Sequence, residues 1–391
     1  MVQEEDLDYL RRWAAQVREH ALELSGLAQR TGRTAIFTIS STVKVPEKRW
    51  PYLTPVRAIV HGYIGGVVVF SQSQAILACS LVDGLVGVIL VDAEKKIGIQ
   101  YGRSADVLLA FGIEVPKTTR VTQNFVEMGN LSAACAQYIR QSKFQEFKPN
   151  DVTVEAVWLQ LTSHFKVLSG RKFAIIGAGN IGFKLALKLV ESGSSVDMTR
   201  RDVARGMLMA DVINLVKPRS TLANAHFNQD PLQAALFADA IIGCTNGTPV
   251  ISWEMVQGLK AGGLLVDVGK GCFYADAVQQ SIEAGIPIYR CDITSSIDGL
   301  VAAMERNRVY LSNEMGRVQW PEGICLISGG HMGLAGDLIV DNYRNPTRIF
   351  GVSDGSGDMK RHWSAEDQER VAWLKERINA NRSPTGELPE R

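Results

Sequence analysis

Three glycines, Gly177, Gly179 and Gly182, carry the strongest chemical signal in this sequence. In a dinucleotide site, the first glycine of a Gly-x-Gly-x-x-Gly pattern permits a tight turn, and the second lets the backbone approach a pyrophosphate. The third lets the following helix pack closely on the preceding strand. Apolar residues at 173–176 and an amphipathic stretch at 183–190 supply that strand and that helix. The pattern predicts a dinucleotide-binding turn, with a purely structural strand–turn–helix as the alternative.

The helix that follows the glycines is expected to cover roughly Ile181–Glu191. Its first N–H groups have no partner within the helix, and the helix dipole is positive at this end. Both features favour phosphate oxygens. We therefore expect Asn180 and Ile181 to contribute to cofactor binding.

The end of the second strand of the nucleotide domain distinguishes NAD from NADP. A carboxylate at this place holds the ribose hydroxyls of NAD, but this chain has Thr199, Arg200 and Arg201. Asp197 comes two residues too early, and Asp202 falls beyond the arginines. Guanidinium groups pair with a 2′-phosphate and stack on adenine. The sequence predicts NADP, with NAD and two solvated surface arginines as the alternative.

Two more loops follow strands of the same domain, at the carboxyl edge where the nicotinamide half of the cofactor is expected. Small residues there let the ring approach the backbone, and hydroxyl or amide side chains can hydrogen-bond the ribose or the carboxamide. Ordinary turn chemistry is the alternative. The predicted contacts are Thr245, Asn246, Gly247, Val268 and Gly269.

Hydride transfer needs a group that gives or takes the accompanying proton. His331 lies in a glycine-rich loop, and imidazole titrates near neutral pH. Lys270 follows Gly269 directly, just past a predicted strand, and is a second candidate catalytic residue. Asp292, also just past a strand, is a candidate substrate ligand, and His61 is a further candidate for proton transfer. A structural role is the alternative for each.

Composition argues against several other functions. The chain has 391 residues, of which 46% are hydrophobic, and 42 basic residues balance 41 acidic ones. This balance gives no electrostatic basis for binding nucleic acid or an anionic membrane. No apolar run reaches the ~18–20 residues that span a bilayer, and the acidic N-terminus lacks the pattern of a signal peptide. We expect a cytoplasmic protein that acts on a small molecule.

The six cysteines are scattered, and no two form a Cys-x-x-Cys pair. This pattern is typical of buried, reduced thiols rather than of disulfides or a metal site. No His-Glu-x-x-His pattern or run of carboxylates is present either, so we expect no metal. A homodimer is the expected assembly, because dimers are the commonest closed form.

Strands and helices alternate along most of the chain, which predicts an α/β protein with parallel βαβ units. After an amphipathic helix at 5–30, the first domain has predicted strands at 34–40, 66–71 and 86–92 and helices near 54–64, 73–82 and 103–112. Helical regions at 121–143 and 153–168 are expected to form a hinge. Further strands, at 195–199, 240–244, 263–268 and 286–291, predict a doubly wound sheet.

These elements predict two α/β domains and a short C-terminal segment. The N-terminal α/β domain, on the substrate side, covers 1–145, and the Rossmann dinucleotide-binding domain covers 146–360. The remainder, 361–391, is predicted to be a helix followed by a disordered tail.

Residues 150–295 resemble the cofactor domains of the amino-acid-dehydrogenase-like superfamily. The resemblance rests on the run Leu168–Gly177, on Thr199-Arg200-Arg201, on Thr245-Asn246-Gly247 and on the run Leu259–Gly269. The superfamily includes shikimate dehydrogenase, methylene-tetrahydrofolate dehydrogenase, alanine dehydrogenase and S-adenosylhomocysteine hydrolase. The resemblance implies a substrate in the cleft between the two domains, and it does not select one member.

Shikimate-type enzymes also carry a Val-x-Val-Pro-x-Lys-like segment with a catalytic lysine. The run Val43–Lys48 resembles it, but Thr42 replaces the preceding asparagine, and the partner aspartate motif of that family is not recognisable. The resemblance makes Lys48 a candidate catalytic residue, with a surface lysine as the alternative. Lys44 and Arg103 are candidate anchors for an acid group of the substrate.

The sequence as a whole predicts an oxidoreductase that transfers a hydride between NADP(H) and a C–O or C–N centre of a small polar metabolite. Two alternatives stay open. One is an enzyme similar to S-adenosylhomocysteine hydrolase that holds NAD tightly. The other is a non-catalytic protein whose assembly a dinucleotide regulates.

Overall fold

The chain folds into two units, residues 1–298 and 299–391, and the division falls within one helix. The computed structural model describes residues 4–42, 49–94, 96–98, 100–101, 105–115, 126–127, 129–320 and 323–382. The α/β class predicted from the sequence is confirmed, because parallel strands joined by helices build both large sheets of the first unit.

The first unit begins with helix α1 (Glu4–Thr31), which packs one apolar face on a five-stranded sheet. The buried residues of that face recur at helical spacing, as predicted, and include Trp13, Val17, Ala21 and Leu24. The strands of this part are β1 (Thr34–Ser41), β2 (Tyr52–Ile59), β3 (Gly62–Val69), β4 (Val88–Asp92), β5 (Gln100–Tyr101), β6 (Val126–Glu127) and β7 (Lys143–Phe147). The helices between them are α2 (Gln72–Val82), α3 (Ala105–Ala110) and α4 (Leu131–Cys135).

The sheet has the order β2-β3-β1-β4-β7, and β2 alone runs antiparallel to its neighbour. The helix predicted near 54–64 is therefore wrong, because this segment forms the β2–β3 hairpin. The helical region predicted over 121–143 is also wrong in its described part, which holds β6, the five-residue α4 and the start of edge strand β7. The strand pairing of a short, half-polar segment depends on tertiary contacts. Hydrophobic periodicity along the sequence does not reveal those contacts.

The second sheet of this unit is entirely parallel, with the order β10-β9-β8-β11-β12-β13. Numbered within the sheet, this is the order 3-2-1-4-5-6 of a doubly wound dinucleotide-binding domain. Helices cover both faces, and two apolar cores lie between them and the sheet. The elements are α5 (Pro149–Phe165), β8 (Lys172–Ile176), α6 (Asn180–Glu191), β9 (Ser195–Thr199), α7 (Val203–Val216), β10 (Ala225–Phe227), α8 (Pro231–Ala235), β11 (Ala240–Gly243), α9 (Trp253–Gln257), β12 (Leu264–Asp267), α10 (Ala275–Glu283) and β13 (Ile288–Arg290).

The second unit has a four-stranded sheet of its own, in the order β14-β15-β16-β17. The strands β14 (Gly316–Gln319), β15 (Cys325–Ser328), β16 (Leu338–Val340) and β17 (Ile349–Val352) share an apolar core with α12 (Ala365–Arg382), and α11 (Thr294–Val309) precedes them. The predicted range 146–360 grouped these strands with the dinucleotide-binding sheet, whereas they pair only with one another among the described residues. The predicted tail at 383–391 lies outside the described residues, and Asn381 and Arg382 end α12.

Candidate functional site

A cavity of about 600 Å³ opens at the carboxyl edge of the parallel sheet. It lies where the strand order reverses, between β8 and β11, which is where ligands bind in open α/β sheets. Its lining comes from the glycine loop, the end of β9, the loops after β10 and β11, and two residues that lie nearer the N-terminus. The lining residues are Lys96, Asn150, Ile176–Gly182, Thr199–Asp202, Gln229, Pro231, Cys244–Asn246, Thr248 and Val250.

The three glycines of the loop each have a different local geometry. Gly177 has a φ of +96°, and a Cβ on it would lie 2.8 Å from the Thr245 backbone nitrogen. A Cβ on Gly179 would meet nothing within 4 Å, so this position borders open space in the cavity. A Cβ on Gly182 would lie 3.1 Å from the Ile175 side chain, so α6 packs tightly on β8 there. These geometries match the tight turn, the close ligand approach and the helix–strand packing that the pattern predicts.

Helix α6 starts at the cavity wall, with Gly179 as its N-cap residue and no side-chain cap. Its first N–H groups therefore stay available for an acceptor such as a phosphate oxygen. Asn150 of α5 donates from Nδ2 to Asn180 Oδ1 at 3.2 Å, which fixes the side chain of Asn180 beside the loop. Ile181 also lines the cavity.

Thr199 holds the glycine loop in place from the end of β9. Its backbone carbonyl accepts from Gly177 N at 3.2 Å and from Ala178 N at 2.7 Å, and its hydroxyl oxygen also accepts from Gly177 N at 3.2 Å. The residue is 5% exposed. Thr199 thus positions the backbone of the predicted cofactor loop in addition to lining the cavity.

The two arginines after β9 both line the cavity but differ in their surroundings. The Arg200 guanidinium donates from an Nη atom to the Ala178 carbonyl at 2.6 Å, which places it against the glycine loop. Its buried Nε finds no partner among the described residues. Arg201 is exposed and forms no ion pair within the described part of the chain. One guanidinium is therefore fixed by the loop and the other is available to solvent.

The carboxylates near this strand end are occupied by other contacts. Asp197 pairs with Lys172 Nζ at 2.7 Å. Asp202 caps α7, because its side chain accepts from Arg205 N at 3.1 Å. Positive charge consequently dominates the place where an NAD site would present a carboxylate.

The loops after β11 and β12 meet at one edge of the sheet. Thr245 donates its hydroxyl to the Thr248 carbonyl at 2.6 Å, and Gly247 has a φ of +73°. The backbone nitrogens of Val268 and Gly269 donate to the Gly243 carbonyl at 2.8 and 3.0 Å. The structure thus brings all five predicted residues of these loops close together, and Thr245 and Asn246 line the cavity.

Lys270 lies at the tip of the turn after β12. Its φ of +60° is unusual for a residue other than glycine, and such strain concentrates at functional sites. The Asp267 carboxylate stabilises this turn, because it accepts from Gly271 N at 2.6 Å and from Cys272 N at 3.4 Å. Burial raises the pKa of the nearby Cys291 thiol to about 11, a rise that Lys270 opposes and Asp292 and Asp267 reinforce.

The three cysteines at this edge are neutral thiols. Burial raises the pKa of Cys272 to about 11 and that of Cys244 further still. Because the thiolate is the reactive form, none of these thiols is suited to nucleophilic attack near neutral pH. All six cysteines of the chain are free.

Lys96, which sequence reasoning missed, lines the cavity from the N-terminal part of the unit. Its Nζ lies 3.0 Å from Asp92 Oδ2 and 2.9 Å from Glu94 Oε2, and its side chain is 10% exposed. Asp92 is fully buried and also accepts from the backbone and hydroxyl of Ser41. No pattern in the sequence marks this lysine, because the loop after β4 brings it to the cavity through tertiary packing. Asn150 and Gln229 are further lining residues without a sequence signal.

The other predicted residues lie in several places. Asp292 Oδ1 accepts from Thr294 N at 2.8 Å and from an Arg57 Nη at 3.1 Å, and His61 is exposed in the turn between β2 and β3. His331 belongs to the second unit, where its Nδ1 is buried without a partner among the described residues. Lys44, Lys48 and Arg103 lie outside the described residues. The catalytic and substrate roles of all these residues stay predictions.

The described residues contain neither a membrane-spanning helix nor a cluster of metal ligands. No helix there is long and apolar enough to cross a membrane. No group of three or more histidine, cysteine or acidic side chains in the described ranges could hold a metal ion.

Neither a protein-family model nor a curated protein sequence matches this chain. Among solved structures it is similar to L-tryptophan dehydrogenase from Nostoc punctiforme, at 15% identity over 68% of this chain and 72% of that one, with a TM-score of 0.35. It is also similar to ornithine carbamoyltransferase from Thermus thermophilus, at 14% identity over 71% and 90%, with a TM-score of 0.34. Dipicolinate synthase A chain from Bacillus subtilis is 12% identical over 70% and 79%, with a TM-score of 0.31. These distant likenesses assign no reaction, and it is the chain's own strand order that assigns residues 172–290 to the Rossmann dinucleotide-binding fold.

Proposed function

We propose that this protein is an NADP(H)-dependent oxidoreductase that transfers a hydride to or from a C–O or C–N centre of a small polar metabolite. The strongest support is the pair Arg200 and Arg201 beside the glycine loop, where the neighbouring carboxylates are occupied by other contacts. A 2′-phosphate is the part of NADP that two guanidinium groups at this place would recognise.

The lining of the cavity fits such a cofactor in two respects. The space beside Gly179 accommodates a pyrophosphate close to the backbone, and the uncapped start of α6 offers N–H donors. The Arg200 guanidinium is held beside the glycine loop by the Ala178 carbonyl, where its charge would favour a phosphate. When bound, the cofactor supplies the hydride chemistry.

The chain's own residues would bind the cofactor and the substrate, orient them, and exchange a proton with the substrate. Thr245 and Asn246 are proposed to orient the nicotinamide half, and Lys96, which also lines the cavity, to meet the substrate. The Lys96 Nζ lies within 3.0 Å of two carboxylates and is proposed to donate a hydrogen bond to a substrate oxygen. Lys270, in the turn after β12, is the alternative proton donor.

Cofactor preference is tested by titrating NADPH and NADH against the wild type and Arg201→Ala. Arg201 is the cleaner site for substitution, because Arg200 also holds the Ala178 carbonyl and its removal would disturb the loop for both cofactors. We expect Arg201→Ala to lose about ten- to a hundredfold in NADPH affinity while NADH binding stays unchanged.

Arg219→Ala, which removes an exposed arginine beyond α7, is the matched control. Equal affinities of the wild type for the two cofactors, together with an unchanged Arg201→Ala variant, would contradict the preference for NADP.

The oxidoreductase activity is tested separately, by following the near-ultraviolet absorbance of NADPH with a panel of small carbonyl and imine compounds. Turnover that a Lys96→Met variant reduces at least tenfold, with NADPH affinity retained, supports the proposal. Tight NADPH binding without turnover of any compound would favour the non-catalytic alternative. NAD that remains bound through purification would favour the alternative of an enzyme similar to S-adenosylhomocysteine hydrolase, which holds its NAD tightly.

A further inference from the structure

One residue that lines the cavity at the glycine loop lies well outside the glycine motif. Asn150 is the second residue of α5 and lines the same cavity as Gly179 and Asn180. The spacing of the Gly-x-Gly-x-x-Gly pattern does not include it, because a whole helix and a strand separate it from the motif. Its side chain and its backbone each contact a different neighbouring element.

The side chain of Asn150 holds the side chain of Asn180. Asn150 Nδ2 donates to Asn180 Oδ1 at 3.2 Å. Asn180 is the first residue of α6, directly after the N-cap residue Gly179, and its side chain is exposed at the cavity. The contact therefore joins the start of α5 to the start of α6, beside the space where the proposed cofactor would place its pyrophosphate.

This hydrogen bond determines which end of the Asn180 amide is left for a ligand. A primary amide has one acceptor, its oxygen, and one donor group, its NH2. Because the oxygen accepts from Asn150, the Nδ2 group remains, and it has no hydrogen-bond partner among the described residues. Phosphate oxygens are acceptors, so the donor end of the amide is the one that suits a pyrophosphate.

The backbone of Asn150 is fixed by the N-terminal sheet. Its nitrogen donates to Glu94 Oε2 at 3.1 Å, and the same oxygen lies 2.9 Å from Lys96 Nζ. Pro149, the first residue of α5, restricts the backbone just before it. Because Glu94 binds the backbone, a change of the Asn150 side chain leaves this contact in place.

Two ion pairs hold α5 against α6 independently of this amide contact. Lys184 pairs with Asp151, and Lys188, one helical turn further along α6, pairs with Glu155. Removal of the Asn150 amide should therefore release one side chain and leave the two helices in place.

We propose that Asn150 is a positioning residue of the dinucleotide site, which turns the Asn180 amide so that its Nδ2 group donates to the pyrophosphate. This inference rests on the proposed function, because it requires a dinucleotide beside Gly179. NADPH and NADH share the pyrophosphate, so Asn150 supports the binding of both. In this respect it differs from Arg201, which is expected to affect NADPH alone.

A double-mutant cycle tests whether Asn150 acts through Asn180. NADPH and NADH are titrated by calorimetry against the full chain as wild type, Asn150→Ala, Asn180→Ala and the variant with both changes. We expect Asn180→Ala to weaken binding of each cofactor about tenfold, and Asn150→Ala about fivefold. The double variant should bind about as weakly as Asn180→Ala alone, because the two residues contribute through one contact.

The Asn180 side-chain amide also gives a spectroscopic signal that does not depend on the folding of Asn150→Ala. Its NMR resonance, identified by its loss in Asn180→Ala, should shift when NADPH is added to the wild type. Asn379→Ala removes an exposed asparagine of α12 and should bind both cofactors as the wild type does.

Three results would overturn the role of Asn150 and leave the proposed function standing. One is an Asn150→Ala variant with wild-type affinity. Another is a double variant whose loss of affinity is the product of the two single losses, which would make the residues independent. The third is an Asn180 amide resonance that NADPH does not shift. A wild type that binds neither NADPH nor NADH would instead contradict the proposed function itself.

Discussion

At the scale of single residues, Gly177 and Gly179 are only two positions apart but depend on different constraints. Gly177 needs its positive φ, and the Thr245 backbone leaves no room for a Cβ. Gly179 has a φ of −94°, which any residue adopts, and open space beside it. The fold therefore requires the first glycine, and only the proposed cofactor would require the second.

Replacing each with alanine separates these requirements. Gly177→Ala should destabilise the protein by about 1–3 kcal/mol, because it combines backbone strain with a steric clash. Gly179→Ala should leave the melting temperature close to that of the wild type and weaken NADPH binding, and Gly179→Val should abolish binding. Thermal melting and NADPH titration measure the two effects. An unstable Gly179→Ala, or one that binds as the wild type does, would contradict this assignment.

At the scale of elements, Asp239 joins the starts of three neighbouring strands. Just before β11, its carboxylate accepts from Lys172 N of β8 at 2.8 Å and from an Arg171 Nη at 2.9 Å. Lys260, ahead of β12, donates to it at 2.9 Å. Burial by itself would raise the pKa of Asp239, but these hydrogen bonds and charges outweigh it and lower the pKa.

Because the pKa of Asp239 is lowered in the folded state, the ionised carboxylate stabilises the fold. Its contribution is complete above the unfolded pKa of about 3.9 and is lost as the pH falls through the lower, folded value. We expect Asp239→Asn to cost about 1–3 kcal/mol near pH 7, and the difference from the wild type to shrink in strong acid.

Urea unfolding at neutral and acidic pH measures this difference. Asp211→Asn, on the exposed face of α7, should change stability little at either pH. A cost for Asp239→Asn that does not depend on pH would contradict the role of its charge.

Sequence reasoning succeeded for elements whose contacts are local. The glycine loop, α6 and the end of β9 follow one another within 173–201, so their spacing in the chain already describes most of the predicted site. It failed for β2, whose pairing with β3 is antiparallel and contains a register shift, and for edge strand β7. Lys96 was missed because its place at the cavity depends on tertiary packing. Its contacts with Asp92 and Glu94 form no recognisable pattern in the sequence.

At the scale of the whole molecule, a charge network joins the two sheets of the first unit. Glu94, in the loop after β4, accepts from Asn150 N of α5 at 3.1 Å and lies 3.7 Å from Lys184 Nζ of α6. Lys184 also pairs with Asp151, so the network extends from the N-terminal sheet to the helix at the glycine loop. The side chain of Glu94 is 11% exposed, which limits screening by solvent.

Glu94→Gln should loosen this connection while both sheets stay folded. We expect the Asn150 amide to exchange its hydrogen about tenfold faster, because its acceptor loses its charge. Hydrogen exchange followed by NMR measures the change. Glu146→Gln, on the exposed face of β7, is the control, and equal exchange of the Asn150 amide in the two variants would show that Glu94 does not connect the sheets.

The contact between Arg200 and the Ala178 carbonyl has a consequence for how the coenzyme preference of this chain could be changed. An exchange of Arg200 for an acidic residue would remove the proposed phosphate ligand and a support of the glycine loop together, so affinity for either coenzyme would fall. Nor can Asp197 be recruited, because Lys172 neutralises it. A conversion would therefore begin at Arg201, and the double role proposed for Arg200 would oppose a change of coenzyme.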